Sequence, residues 1–124
     1  MITKFKTYGK DIVITLPAKV EWVDYVKELD MVENNGGTLN FKVSKFPKDA
    51  HAGNKCYVVH QGFIRGYMYI SGFSEKKFMC EITHEKWVGK FIERTGKFYY
   101  TKPEPMKGFQ GFRYKKSPLT EKFE

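Results

Sequence analysis

Residues 55–73, KCYVVHQGFIRGYMYISGF, decide how this chain is read. Two runs of strand-forming residues, 55–60 and 63–73, flank Gln61-Gly62. Glycine at the second turn position suits a tight hairpin. Past the turn the residues alternate. One side reads Ile64, Gly66, Met68, Ile70 and is an ordinary core face. The other reads Phe63, Arg65, Tyr67, Tyr69, Ser71, with three aromatics and an arginine. That second side either covers another core or grips something flat. Phe63 and Tyr69 are expected as cover. The polar tips of Arg65 and Tyr67 favour exposure or a pocket lip.

Working outward, Asp11–Leu16 is a short β-branched run that reads as a buried strand. From residue 20 to 33 the period becomes helical, with Trp22, Tyr25, Val26, Leu29 and Val32 on one side. Asn34-Asn35-Gly36-Gly37 stops that helix, because Asn and Gly tolerate the positive φ of a C-cap. Residues 38–45 alternate as a strand, and 46–54 form a loop by composition. Further strands are predicted at 78–83, 87–94 and 98–101, with a turn at Thr95-Gly96. Pro103-Glu104-Pro105 should break regularity, and a last strand is predicted over 109–114. Six or seven strands with one amphipathic helix near the front predict a mainly β (α+β) fold. The expected architecture is a small barrel or strongly curled sheet, plugged or flanked by the helix. Gly66, Gly72, Gly89 and Gly111 inside strands fit sharp curvature. An open sandwich is the alternative.

The 124 residues suit one domain with a core that needs neither disulfide nor metal. With 41% hydrophobic and 29% charged residues the composition is that of a folded chain, not a disordered one. The net charge of +8 is uneven. Residues 1–40 hold five lysines against six carboxylates, and residues 41–124 hold seventeen Lys and Arg against eight. The basic part is also the aromatic part. Such a surface attracts polyanions, nucleic acid being the commonest, although charge of this kind also serves solubility alone. Cys56 and Cys80 lie in no CxxC cluster, and His51, His60 and His84 have no metal spacing, so neither metal nor cofactor is expected. Both thiols are expected free, which makes the cytoplasm the default location. The opening MITKFKTYGKDIVITLP has no long apolar core, so no secretory leader is expected, and no apolar run is long enough to span a membrane. No GxSxG, HExxH or phosphate-loop motif is present.

The pattern Gly53, Lys55, Tyr57-Val58-Val59-His60, Gly62, Ile64-Arg65-Gly66-Tyr67, Ile70 and Gly72 resembles the central hairpin of PUA-like domains of the EVE and ASCH branches. Residues 87–94 and 105–114 are similar to parts of small bacterial and phage proteins of that shape. The resemblance spans about residues 11–114. It implies a pseudo-β-barrel and binding of RNA, of a modified base in DNA, or of a nucleoside. The ASCH motif has Gly, then Lys two positions on, then Arg five beyond. Gly53 and Lys55 match, but position 60 is histidine, so no hydrolase site is carried over. One domain is expected over residues 1–114, followed by a loose charged tail over 115–124.

The candidate site is Arg65, Tyr67, Trp87, Lys90 and Arg94, with Lys48 and Lys55 at the lip. Aromatics would stack a base, and the cations would hold phosphates. Lys45, Lys97, Lys102, Lys107 and Arg113 extend the basic rim. Lys90 and Arg94 share a strand face by their even offset, with Trp87 opposite unless a bulge at Gly89 re-aims it. A structural role for Trp87 in closing the barrel is the alternative. Two other function classes stay open. One is a small nucleoside-directed hydrolase using Glu81 or Glu93 with Lys90. The other is a protein-interaction module using exposed aromatics.

Overall fold

The computed structural model describes residues 9–80 and 84–115. Among them are β1 (Ile12–Thr15), α1 (Trp22–Asn35), β2 (Leu39–Val43), β3 (Lys55–His60), β4 (Phe63–Met79), β5 (Lys86–Arg94), β6 (Tyr99–Pro105) and β7 (Phe112–Tyr114). The strands make one curled mixed sheet, a half-barrel, in the order β2-β5-β4-β3-β1-β7, with β6 on β4. The β1–β3 pair is parallel.

The hairpin reading of residues 55–73 holds at its turn. Gln61 and Gly62 both have positive φ (51° and 86°), the geometry that matches strand twist in a two-residue turn. Beyond the turn the structure departs from simple alternation. Val58 pairs with Gly66 but Val59 pairs with Ile64, so Arg65 is the extra residue of a bulge. The bulge splits the predicted core face. Met68 and Ile70 enter the main core, whereas Ile64 joins Val13 and Val59 in a second cluster under Met106 and Phe109.

β4 is also longer than predicted. Residues 63–73 and 78 onward were expected as two strands, but β4 runs unbroken for 17 residues. Its first half pairs with β3, and its second half, from Ile70, pairs with β5. The register shift between Ile70 and Gly72 bends it from one half of the sheet to the other. Ser74-Glu75-Lys76-Lys77 looks like a loop in sequence, yet it carries a full ladder to β5. Residues 81–83 of the predicted 78–83 strand lie outside the described residues, as do residues 1–8 and the tail from 116. Pro103 and Pro105 do not end β6. It pairs with β4 alone, and an edge position leaves room for residues without an N–H.

α1 closes the concave side. Tyr25, Leu29 and Val32 recur on one face and are buried with Ile12, Ile14, Cys56, Val58, Met68, Ile70 and Ile92. The helix ends as predicted: Gly36 takes the left-handed conformation (φ 74°), and its N–H bonds the Val32 carbonyl. Gly66 is required for a different reason. A Cβ there would collide with the Tyr99 carbonyl and the Phe98 ring, so only glycine lets β6 and Phe98 close over β4.

Candidate functional site

Alternation along β3 and β4 sends Cys56, Val58 and Met68 inward, so Lys55, Tyr57, Tyr67 and Tyr69 face outward. The ladders bring these residues side by side. Tyr57 is opposite Tyr67, Tyr67 is opposite Tyr99 of β6, and Lys55 is opposite Tyr69. Four tyrosine rings therefore meet on the convex face. The Tyr67 ring lies 5.3 Å from Tyr57, 5.5 Å from Tyr69 and 5.2 Å from Tyr99, the last nearly parallel at 19°. Tyr69 and Tyr99 are 5.7 Å apart and remain 41% and 38% exposed.

Cations ring the cluster. Lys55 Nζ sits 4.7 Å from the Tyr67 ring centre, Lys115 Nζ 5.2 Å from Tyr57, and Lys97 Nζ 5.6 Å from Tyr99. Arg113 covers Phe109 at 4.5 Å, on the side of the sheet where Phe109 packs with the cluster of Tyr57. Lys10 covers Tyr114 at 5.5 Å, but that ring packs on the main core instead. Two carboxylates lie among them. Asp11 accepts the Lys55 backbone N–H at 2.8 Å, and Glu104 is 3.7 Å from Lys115. Burial, followed by the hydrogen bond with Tyr69, lifts the Tyr67 phenol above its ordinary pKa, so this central ring stays neutral near pH 7.

The seven predicted site residues do not form one site. Lys55 and Tyr67 come together on the tyrosine face. Lys48 is exposed in the 46–54 loop beside Asp49, whose N–H bonds the Tyr114 hydroxyl at 3.0 Å. The bulge turns Arg65 toward the helix. Its guanidinium lies 5.8 Å from the Trp22 ring and 5.6 Å from Phe63, and Nε donates to the His60 carbonyl at 3.3 Å. Trp87 packs on Phe78 and Phe91, away from the tyrosines. The β4–β5 register runs through Gly89 without a shift, so Trp87 keeps the face opposite Lys90 and Arg94. Lys90 is half-buried opposite Glu75. Phe63 and Tyr69, expected as core cover, are exposed at 39% and 41%.

Arg94 is the largest departure. It is 2% exposed, inside the half-barrel, where Nη1 donates to the Tyr25 hydroxyl at 3.1 Å and Nε has no partner. Burial lifts the Tyr25 phenol, and it pushes the Cys56 thiol up to about 11, with Arg94 opposing both. Both groups are therefore neutral near pH 7. Burial also acts to lower the Arg94 pKa, but Tyr25, Cys56 and Glu28 outweigh it. This guanidinium holds the helix to the sheet and does not face a ligand on the surface.

Tyr57, Tyr99 and Lys115 were not anticipated as site residues. Tyr57 is visible in hindsight, because it shares its strand face with Lys55. Tyr99 has no such signal, since only the pairing of β6 with β4 brings it beside Tyr67. Neither carboxylate of the hydrolase alternative gains support as a base. Glu81 lies outside the described residues. Glu93 accepts from Ser74 and pairs with Lys76, and these contacts hold its pKa below the usual carboxylate range. Among the described residues, no group of three or more His, Cys, Asp or Glu side chains could hold a metal, and no helix is long and apolar enough to cross a membrane. No family model, curated protein or solved structure matches the chain.

Proposed function

We propose that this protein binds nucleic acid, RNA or DNA, through the tyrosine face of its sheet, with bases stacked on Tyr69, Tyr99 and Tyr67. The observation that carries this reading is the cluster of four contiguous rings with lysines placed over three of them. A base stacked on an exposed aromatic contributes roughly 1–3 kcal/mol, whatever its identity. A lysine resting on a tyrosine at an exposed site is held by only about 0.5–1 kcal/mol. Such a lysine can leave the ring for a phosphate when a strand arrives.

The charge layout supports the same face. α1, on the concave side, has four carboxylates and one lysine. Lys55, Lys97, Arg113 and Lys115 all cap aromatics outside that helix. A polyanion is thus drawn to the convex side. The tight hairpin on a curled mixed sheet also supports the likeness to PUA-like domains, in which a modified nucleobase is a further candidate ligand. The fully buried Cys56, which is in no disulfide, is compatible with a reducing, cytoplasmic setting.

The test is fluorescence anisotropy of labelled single-stranded and duplex oligonucleotides at two salt concentrations. Binding that weakens steeply with salt is expected, and so is a loss in Tyr69→Ala and Tyr99→Ala, whose rings are the most exposed. No binding to any oligonucleotide at low salt would refute the reading. Equal affinity of both variants and the parent would move binding off this face.

A further inference from the structure

A second concavity lies where the end of α1 meets the β4–β5 hairpin. It is an open cleft of about 500 Å³. Its walls include Met31 of the helix, Phe78 and Met79 of β4, and Trp87 of β5. Met31 and Met79 are 54% and 60% exposed, unusual for large apolar side chains. Flexible thioethers and an indole make an adaptable apolar seat. Glu28, Asn35, Thr38 and Asn40 line it, and none of the described lining residues is basic. Lys76, paired with Glu93, lies 5.4 Å from the Phe78 ring, which leaves Trp87 as the aromatic wall for a ligand. Asn40 Oδ1 is buried with no hydrogen-bond partner.

The helix adds to this polarity. Asn35, its last residue, is at the cleft, and the last turn carries no basic residue to offset the negative end of the dipole. Burial lifts the Glu28 carboxyl above the ordinary range, with Arg94 acting the other way and Asp24 adding to the rise. Its carboxylate is thus under-solvated where it meets the cleft. In a chain of net charge +8, this cleft has the opposite character to the tyrosine face.

We propose that the cleft is a binding site for a small alkylammonium group, seated against Trp87 with its charge toward Glu28, Asn40 and the C-terminal end of α1. Aromatic faces attract such cations through the ring quadrupole, and the attraction grows when the cation is desolvated. The thioethers of Met31 and Met79 take the alkyl part. This site is independent of the nucleic-acid interface and uses none of its residues.

The probe is choline, titrated into the full-length protein and followed by chemical-shift changes of backbone amides. The control is its neutral isostere, with carbon in place of the quaternary nitrogen. Shifts confined to Met31, Met79, Trp87 and their neighbours are expected, with choline bound about tenfold more tightly than the isostere. Glu28→Gln should weaken choline several-fold and leave the isostere unchanged; Trp87→Phe should weaken both and keep the packing. Equal binding of choline and isostere would overturn the proposal, because the cleft would then be merely apolar. Shifts elsewhere on the molecule, or none at millimolar choline, would overturn it too.

Discussion

The two sides of the half-barrel each set a cation against a phenol, with opposite consequences. Inside, Arg94 bonds the Tyr25 hydroxyl in a site with 2% exposure, beneath neutral Cys56. Outside, Lys55 rests over the Tyr67 ring, and Lys97 over Tyr99. Charge and aromatic partner are alike in kind; solvent makes the difference. The buried guanidinium has lost its hydration and depends on every contact it keeps. Lys97 is exposed and Lys55 half-buried, and each is held by a weak contact, so exchanging a ring for a phosphate costs them less than it would cost Arg94. Strong attachment marks the structural cation, and weak attachment marks the ones suited to binding.

The sharpest way to break this comparison is Arg94→Ala. Losing a buried side chain of this size, with its bond to Tyr25, should destabilise the fold by about 3–5 kcal/mol in urea unfolding. Nucleic-acid affinity of the folded fraction should not change. Arg94→Met, which fills the space without a charge, should cost much less. A large loss of affinity in a well-folded Arg94→Met would mean that Arg94 serves the ligand.

Next in size is the alkaline response. The Cys56 thiol is pushed up to about 11 from an ordinary 9.0. Above about pH 9 the unfolded chain releases this proton while the folded chain keeps it. Stability is therefore full below pH 9 and falls as pH rises toward 11, by up to about 2–3 kcal/mol at roughly 1.4 kcal/mol per pKa unit. Tyr25, also raised by burial, adds to the fall at higher pH. Urea midpoints across pH 8–11 measure it, and Cys56→Ala should flatten the first part of the slope. An unchanged slope in that variant would assign the loss to Tyr25 alone.

On the outer face, Tyr67→Ala should weaken oligonucleotide binding by about 1–3 kcal/mol, and Tyr67→Phe should bind like the parent. If the phenylalanine variant fails as badly as the alanine one, the hydroxyl matters and stacking is not the mechanism. The smallest effect is Lys55→Ala. Removing one phosphate contact should reduce the slope of log K against log salt by about 0.7 for a single strand. A lower affinity with the same slope would return Lys55 to a role in packing Tyr67.

Much of the scaffold was legible because local periodicity carries it. The 25, 29, 32 spacing of α1, its Gly36 stop and the Gln61-Gly62 turn depend on residues close in sequence. The site was legible only in part. Lys55 and Tyr67 could be named because both lie on the hairpin. Tyr99 could not, since its neighbour Tyr67 is 32 positions away and reached only through the β4–β6 pairing. Arg65 was assigned to the tyrosine face because a period of two was carried through a bulge, and one extra residue reverses the direction of a side chain. Arg94 reads as a surface cation from composition, yet its strand face turns inward with Ile92, beneath Tyr25.

The amino-acid sequence alone determined that this chain forms a mainly β fold with one early amphipathic helix, because burying alternating and helical apolar patterns leaves few other arrangements. It also determined that the aromatic part is the basic part. Tertiary structure alone decided which cations face water and which rings meet. Those outcomes depend on a bulge, a bend in β4 and the docking of β6, where contacts between distant residues outweigh local preference. The same chemistry of arginine, lysine and tyrosine is structural on the concave side and solvent-facing on the convex one, because desolvation acts on the folded surface and not on the order of residues.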